Sequence, residues 1–166
     1  MEIRRAMLKY VDTKIVFQEI PDEVTLAINI SNCPCQCKGC HSSYLAQDIG
    51  EEIYPETIVD FYEKYNGVSC ICFMGGDSDP KWLNMLAEFV KTDIPRWKVA
   101  WYSGRQELSK EIDLKNFDFI KLGPYKEEFG PLNSRTTNQR FYKVFHFSTG
   151  RCELIDITHK FWKRDD

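Results

Sequence analysis

The stretch VSCICFM (68–74) carries almost no polar side chain. An unbroken apolar run with β-branched residues is what a strand buried on both faces of a parallel sheet requires. Helical patterns flank it. PETIVDFYEKYNG (55–67) places Pro55 in the first turn, where a missing N–H costs nothing, and Gly67 just past the end. After the run, Asp79 is placed to cap a helix that opens with Pro80. Its apolar positions Trp82, Leu83, Leu86, Phe89 and Val90 recur at helical spacing. Upstream, 8–19 is strand-like and TLAINIS (25–31) is an apolar strand. Downstream, KVAWY (98–102) reads as a strand, QELSKEI (106–112) as a weaker helix and FDFIKL (117–122) as a strand. Alternation of this kind predicts βαβ units, an α/β fold and a mostly parallel sheet. Beyond Gly123-Pro124 the segment 126–140 is polar and loop-like, and 141–157 reads as two strands around Thr149-Gly150.

A chain of 166 residues suffices for one domain with a genuine core, so residues 1–166 are expected to form a single unit. Hydrophobic residues at 43% and charged residues at 28% exclude the disordered and fibrous classes. No apolar run approaches a membrane span, and the first residues lack the apolar core of a secretory signal. A net charge of −3 argues against nucleic acid as a partner. The expected location is the cytoplasm, where thiols stay reduced and seven cysteines are poor material for disulfides. An odd count, with four cysteines crowded between 33 and 40, points to metal.

In SNCPCQCKGCHSS the thiols stand at Cys33, Cys35, Cys37 and Cys40, at the predicted C-terminal end of a strand. A zinc site pairs two C-x2-4-C elements distant in sequence and would need a second pair. Cys70 and Cys72 qualify by composition, but they share one face of the predicted strand and read equally as buried apolar side chains. Cys33, Cys37 and Cys40 form a C-x3-C-x2-C run able to hold three corners of an iron–sulfur cube, leaving the fourth iron open. Cys35 is extra, since a C-x-C pair is sterically poor for two corners of one cube. Two glycines and an acid follow about 35 residues later: FMGGDSDP puts Gly75, Gly76 and Asp77 between strand and helix, where backbone can approach a ligand without a Cβ in the way.

These motifs resemble those of the radical S-adenosylmethionine enzymes. The resemblance implies a partial (β/α) barrel, a [4Fe-4S] cluster on Cys33, Cys37 and Cys40, and S-adenosyl-L-methionine bound at the open iron. By the same resemblance Gly39 and His41 flank the last ligand near the adenine. Gly75, Gly76 and Asp77 correspond to the family's G-G-E, which holds the methionyl amino group. WYSGRQEL (101–108), KLGPY (121–125) and SRTTNQRF (134–141) resemble, in order and spacing, segments of anaerobic ribonucleotide reductase activating proteins. That likeness places Ser103 and Tyr102 near the nucleoside and gives Asn138, Gln139 and Arg140 a part in finishing the site or the partner surface. It implies an enzyme that cleaves S-adenosylmethionine to a 5′-deoxyadenosyl radical. It further implies a glycyl radical raised on the large subunit of anaerobic ribonucleoside-triphosphate reductase, with a flavodoxin- or ferredoxin-type protein as reductant. The chain departs from the pattern twice: FQEIPDE replaces an N-terminal D-G-P-G-like turn, and Leu122 stands where many members have Asp.

The remaining candidates read as structural. His146 falls on the strand face opposite Phe145 and Phe147, His159 lies in a charged tail, and Glu127 with Glu128 forms a solvated loop. No carboxylate pair is spaced for general acid–base work. Two other readings stay open. One is a radical enzyme acting on a different glycyl radical protein or a small molecule; the other is a non-catalytic iron–sulfur or zinc module.

Overall fold

The computed structural model describes residues 8–35 and 43–162. The strands are β1 (Lys9–Val16), β2 (Thr25–Ile30), β3 (Glu51–Glu52), β4 (Cys70–Met74), β5 (Lys98–Tyr102), β6 (Phe119–Leu122), β7 (Arg140–His146) and β8 (Cys152–Asp156). All eight join one sheet in the order β3-β1-β2-β4-β5-β6-β7-β8. The α-helices among the described residues are α1 (Pro55–Lys64) and α2 (Pro80–Asp93).

The expectation of a mostly parallel partial (β/α) barrel of the radical S-adenosylmethionine type is corrected. β2, β4, β5 and β6 run parallel, but the other four of the seven pairings are antiparallel. The architecture is a mixed sheet with, among the described residues, two α-helices. Connection length explains the difference, because parallel neighbours need a crossover of a dozen or more residues while a short turn only reverses the chain. Residues 17–24 and 147–151 are such turns, and they make β1–β2 and β7–β8 antiparallel. The long connection 123–139 contains no helix and brings β7 back antiparallel to β6.

The helix expected over 106–112 is also absent. Ser109 Oγ accepts the Glu111 N–H at 3.2 Å and the Ser109 carbonyl accepts the Ile112 N–H at 3.2 Å, so a local turn replaces it. One 3-10 turn, Leu114–Asn116, follows, with Asp113 accepting from the Lys115 N–H at 3.1 Å. The first strand stops at Val16 rather than 19, and Ile20 turns into the interior. β3, two exposed glutamates paired with β1, has no apolar pattern that announces it.

Strand alternation divides the core. Ile71 and Phe73 of β4 face the helices, together with Leu26, Ile28, Val99, Trp101 and Ile120 of neighbouring strands. Against them α2 lays Leu83, Leu86, Ala87 and Val90, and α1 lays Ile58 and Phe61. Each fully buried aliphatic or aromatic side chain of this set is worth roughly 1.5–3 kcal/mol. The Asp79 carboxylate caps α2 by accepting the Trp82 N–H at 3.1 Å. On the opposite face Cys70 and Cys72 pack with Ile20, Ala100, Phe119, Phe141 and Ile157. No helix among the described residues is long and apolar enough to cross a membrane.

Phe73 is fully buried at the centre of the parallel strands. Phe73→Ala is expected to lower unfolding stability by about 3–5 kcal/mol, read as a drop in the urea midpoint.

Candidate functional site

Because β2, β4, β5 and β6 are parallel, their C-terminal ends lie along one edge, and the turns leaving them gather there. β2 runs into Ser31, Asn32 and Cys33. Two hydrogen bonds close the base of the cysteine loop: Asn32 N–H to Gln47 O at 2.9 Å and Cys33 N–H to Leu45 O at 2.8 Å. Asn32 takes φ 58°, a left-handed conformation that Asn tolerates better than most residues.

β4 ends at Gly75 and Gly76, with φ 111° and 101°. A Cβ on Gly75 would stand 3.1 Å from the Ile30 carbonyl oxygen, so sterics as well as backbone angle demand glycine there. The turn is pinned to β5 from both sides. The Gly75 N–H donates to Tyr102 O at 3.0 Å, and the Trp101 indole N–H donates to Gly75 O at 2.7 Å.

Asp77 follows, almost wholly buried. Its Oδ1 accepts from Ser103 Oγ at 2.5 Å and its Oδ2 accepts from the Gly104 N–H at 2.9 Å. Ser103 Oγ in turn accepts the Arg105 N–H at 3.0 Å. Lys121 extends the stitching to β6: its buried ammonium donates to Ser103 O at 2.8 Å and Gly123 O at 3.0 Å, and lies 5.5 Å from the Tyr102 ring centroid. Next, Gln139 Nε2 donates to Gly123 O at 3.4 Å and Asn138 Nδ2 to Pro124 O at 2.9 Å. Asn138 Oδ1 is buried without a hydrogen-bond partner.

Of the residues singled out from the sequence, the fold thus brings Cys33, Gly75, Gly76, Asp77, Ser103, Asn138 and Gln139 to one edge of the sheet. Cys37, Gly39, Cys40 and His41 lie outside the described residues. Cys33 is a free, half-buried thiol. Cys35 is not an isolated loop thiol. Its Sγ lies 3.7 Å from Asp77 Oδ2 and would sit 2.7 Å from a Cβ at position 104, so Gly104 makes room for it. Burial, then the Asp77 carboxylate and the neighbouring Cys33, push its thiol up to about 12. Ser103 is fully buried against Asp77, and Leu122 packs in the helix-side core. Arg140 pairs with Asp156 at 3.7 Å.

Tyr102 points to the other face, donating its hydroxyl to Glu19 O, and burial raises its pKa well above the usual phenol range. It borders a cleft of about 650 Å³ whose lining includes Phe17, Glu19, Leu132, Lys160 and Phe161. Lys121, Gly104 and Arg105 were not legible as site residues. The one available signal was a lysine inside an otherwise apolar strand, FIKL.

Cys70 and Cys72 are buried at 0% exposure in the apolar core, and desolvation, the largest cause, drives both thiols upward from their usual range. Metals take the thiolate, which this environment disfavours. Among the described residues no group of three His, Cys, Asp or Glu side chains could hold a metal ion.

Asp77→Ala strips acceptors from Ser103 and Gly104; a loss of about 1–3 kcal/mol in urea unfolding and faster hydrogen exchange at the Gly104 amide are expected. The raised thiols of Cys70 and Cys72 make the folded state hold protons that the unfolded chain releases near pH 8.5. Stability is therefore fully present below about pH 8.5 and declines as pH rises above it. Cys72→Ala, checked by urea unfolding from pH 7 to 10, reduces that slope. A scan against protein-family models, a search of curated proteins and a search of solved structures each return no match to this chain.

Proposed function

We propose that this chain is an activating enzyme that reductively cleaves S-adenosyl-L-methionine at a [4Fe-4S] cluster and raises a glycyl radical on anaerobic ribonucleoside-triphosphate reductase. The observation that carries the reading is convergence: the Cys33 loop, the Gly75-Gly76-Asp77 turn and the Ser103-Gly104 turn leave neighbouring parallel strands at one edge. Four parallel strands produce that edge without a barrel.

Among the described residues, the thiol that would serve such a cluster is Cys33. Cys33 is a free thiol at a loop whose base is closed by backbone hydrogen bonds, and Cys37 and Cys40 complete the C-x3-C-x2-C set. When bound, the cluster supplies the electron that breaks the carbon–sulfur bond of S-adenosylmethionine. The chain's own work is positioning. Gly75 and Gly76 present backbone without Cβ atoms. Asp77, with both oxygens engaged by Ser103 and Gly104, fixes that turn. The electron comes from a flavodoxin- or ferredoxin-type protein, and the setting is the cytoplasm, where thiols stay reduced.

Anaerobic reconstitution tests the proposal. About four irons per chain, 5′-deoxyadenosine on reduction, and a glycine-centred radical signal that appears only with the reductase are expected. Cys33→Ser is expected to abolish all three. One zinc and no iron would overturn the enzyme reading. Cofactor cleavage with no radical on the reductase would redirect it to another target.

A further inference from the structure

His146 ends β7 and Cys152 begins β8, and the antiparallel register sets them directly opposite each other. Since β7 runs against β6, this pair lies past the N-terminal end of β6, at the far end of the sheet from the cysteine loop. Cys152 Sγ is 3.3 Å from His146 Nδ1. His146 Nε2 is 2.9 Å from the Phe117 carbonyl oxygen and 3.7 Å from Asp118 Oδ1.

A carbonyl oxygen only accepts, so Nε2 carries the ring proton, and the neutral imidazole turns the bare lone pair of Nδ1 toward the thiol. An imidazolium formed by proton uptake would find Phe117 O and the Asp118 carboxylate already at its other nitrogen. Asp118 is itself held in place, since its Oδ2 accepts the Val99 N–H at 2.8 Å and pairs with Lys91 of α2. The remaining nearby charges are occupied elsewhere: Arg151 pairs with Glu153 at 3.0 Å, and Lys115 of the 3-10 turn pairs with Asp113 at 3.3 Å. Cys152 is half-buried at the margin of the helix-side core and the His146 side chain is 37% exposed, so the pair borders solvent on the histidine side.

We propose that Cys152 is a modification site, a thiol made reactive by His146 as base that exchanges with low-molecular-weight disulfides. As Cys152 Sγ attacks one sulfur of the disulfide, its proton passes to His146 Nδ1. A new sulfur–sulfur bond forms to Cys152, the original one breaks, and the departing thiolate takes the proton back from the imidazolium. Cys152 is oxidised to the mixed disulfide and the other half of the reagent is reduced to a thiol, so the balance is complete.

The test uses the intact chain with glutathione disulfide at pH 7, an acid quench, and peptide mass mapping of each cysteine. Cys152 is expected to form the mixed disulfide about tenfold or more faster in the folded chain than in the same chain unfolded in urea. His146→Gln is expected to slow it by about tenfold, because a thiol without a base is only a few per cent thiolate at pH 7. The sign is diagnostic, because trimming a neighbour that merely covers the thiol would expose it and speed the reaction. A smaller drop, no change or a rise in the variant overturns the proposal. So does a folded-state rate at or below that of the unfolded chain, a comparison that needs no variant.

Discussion

A buried carboxylate must find donors, and Asp77 finds them on the strand next to its own. The hydroxyl of Ser103 and the N–H of Gly104 satisfy its two oxygens, so the turn after β4 and the turn after β5 hold each other in place. The same logic repeats outward. Lys121 spends its ammonium protons on the carbonyls of Ser103 and Gly123, and the side chains of Gln139 and Asn138 take up the carbonyls of Gly123 and Pro124. A line of polar ties thus crosses the end of the sheet from β4 to the segment before β7. Between them these groups engage the turns after β5 and β6, with Gly123 O shared by Lys121 and Gln139, so the loops along the edge are tied to one another.

The parallel strands beneath supply what the ties need. Register sets Met74 beside Tyr102 and Tyr102 beside Lys121, so the turns leaving β4, β5 and β6 start at one level. The sheet also separates two environments. Helices α1 and α2 seal one face, while the other is closed by the turn around Ile20 and the segment around Ile157, with the cleft beside Tyr102 between them. One face of the sheet is therefore covered by packed helices and the other by loops with a cleft between them.

What the sequence disclosed follows the range of the forces involved. The cap at Asp79, Pro55 at the start of α1 and the apolar run of β4 are local signals, and the elements they announce are present. The direction of β7 is decided by how a long polar connection returns, which no residue in 123–139 announces. The helix expected at 106–112 failed because Ser109 offers the backbone a competing local bond. Within the site, Gly75 and Gly76 were legible since a positive φ leaves a compositional trace. The bonds from Asp77 to Ser103 and Gly104, more than 25 residues apart in the chain, leave none. Cys35 illustrates the same gap, for its neighbours Asp77 and Gly104 belong to other turns.

The two outermost strands have a consequence for association. β3 consists of two exposed glutamates, and β8 carries exposed Glu153 and Asp156. If a second copy tried to lengthen the sheet through like edges, carboxylates would meet carboxylates along the new ladder, and directly opposed like charges are unfavourable. Lateral growth through the β3 margin is thereby discouraged, whereas the β8 carboxylates are already paired with Arg151 and Arg140.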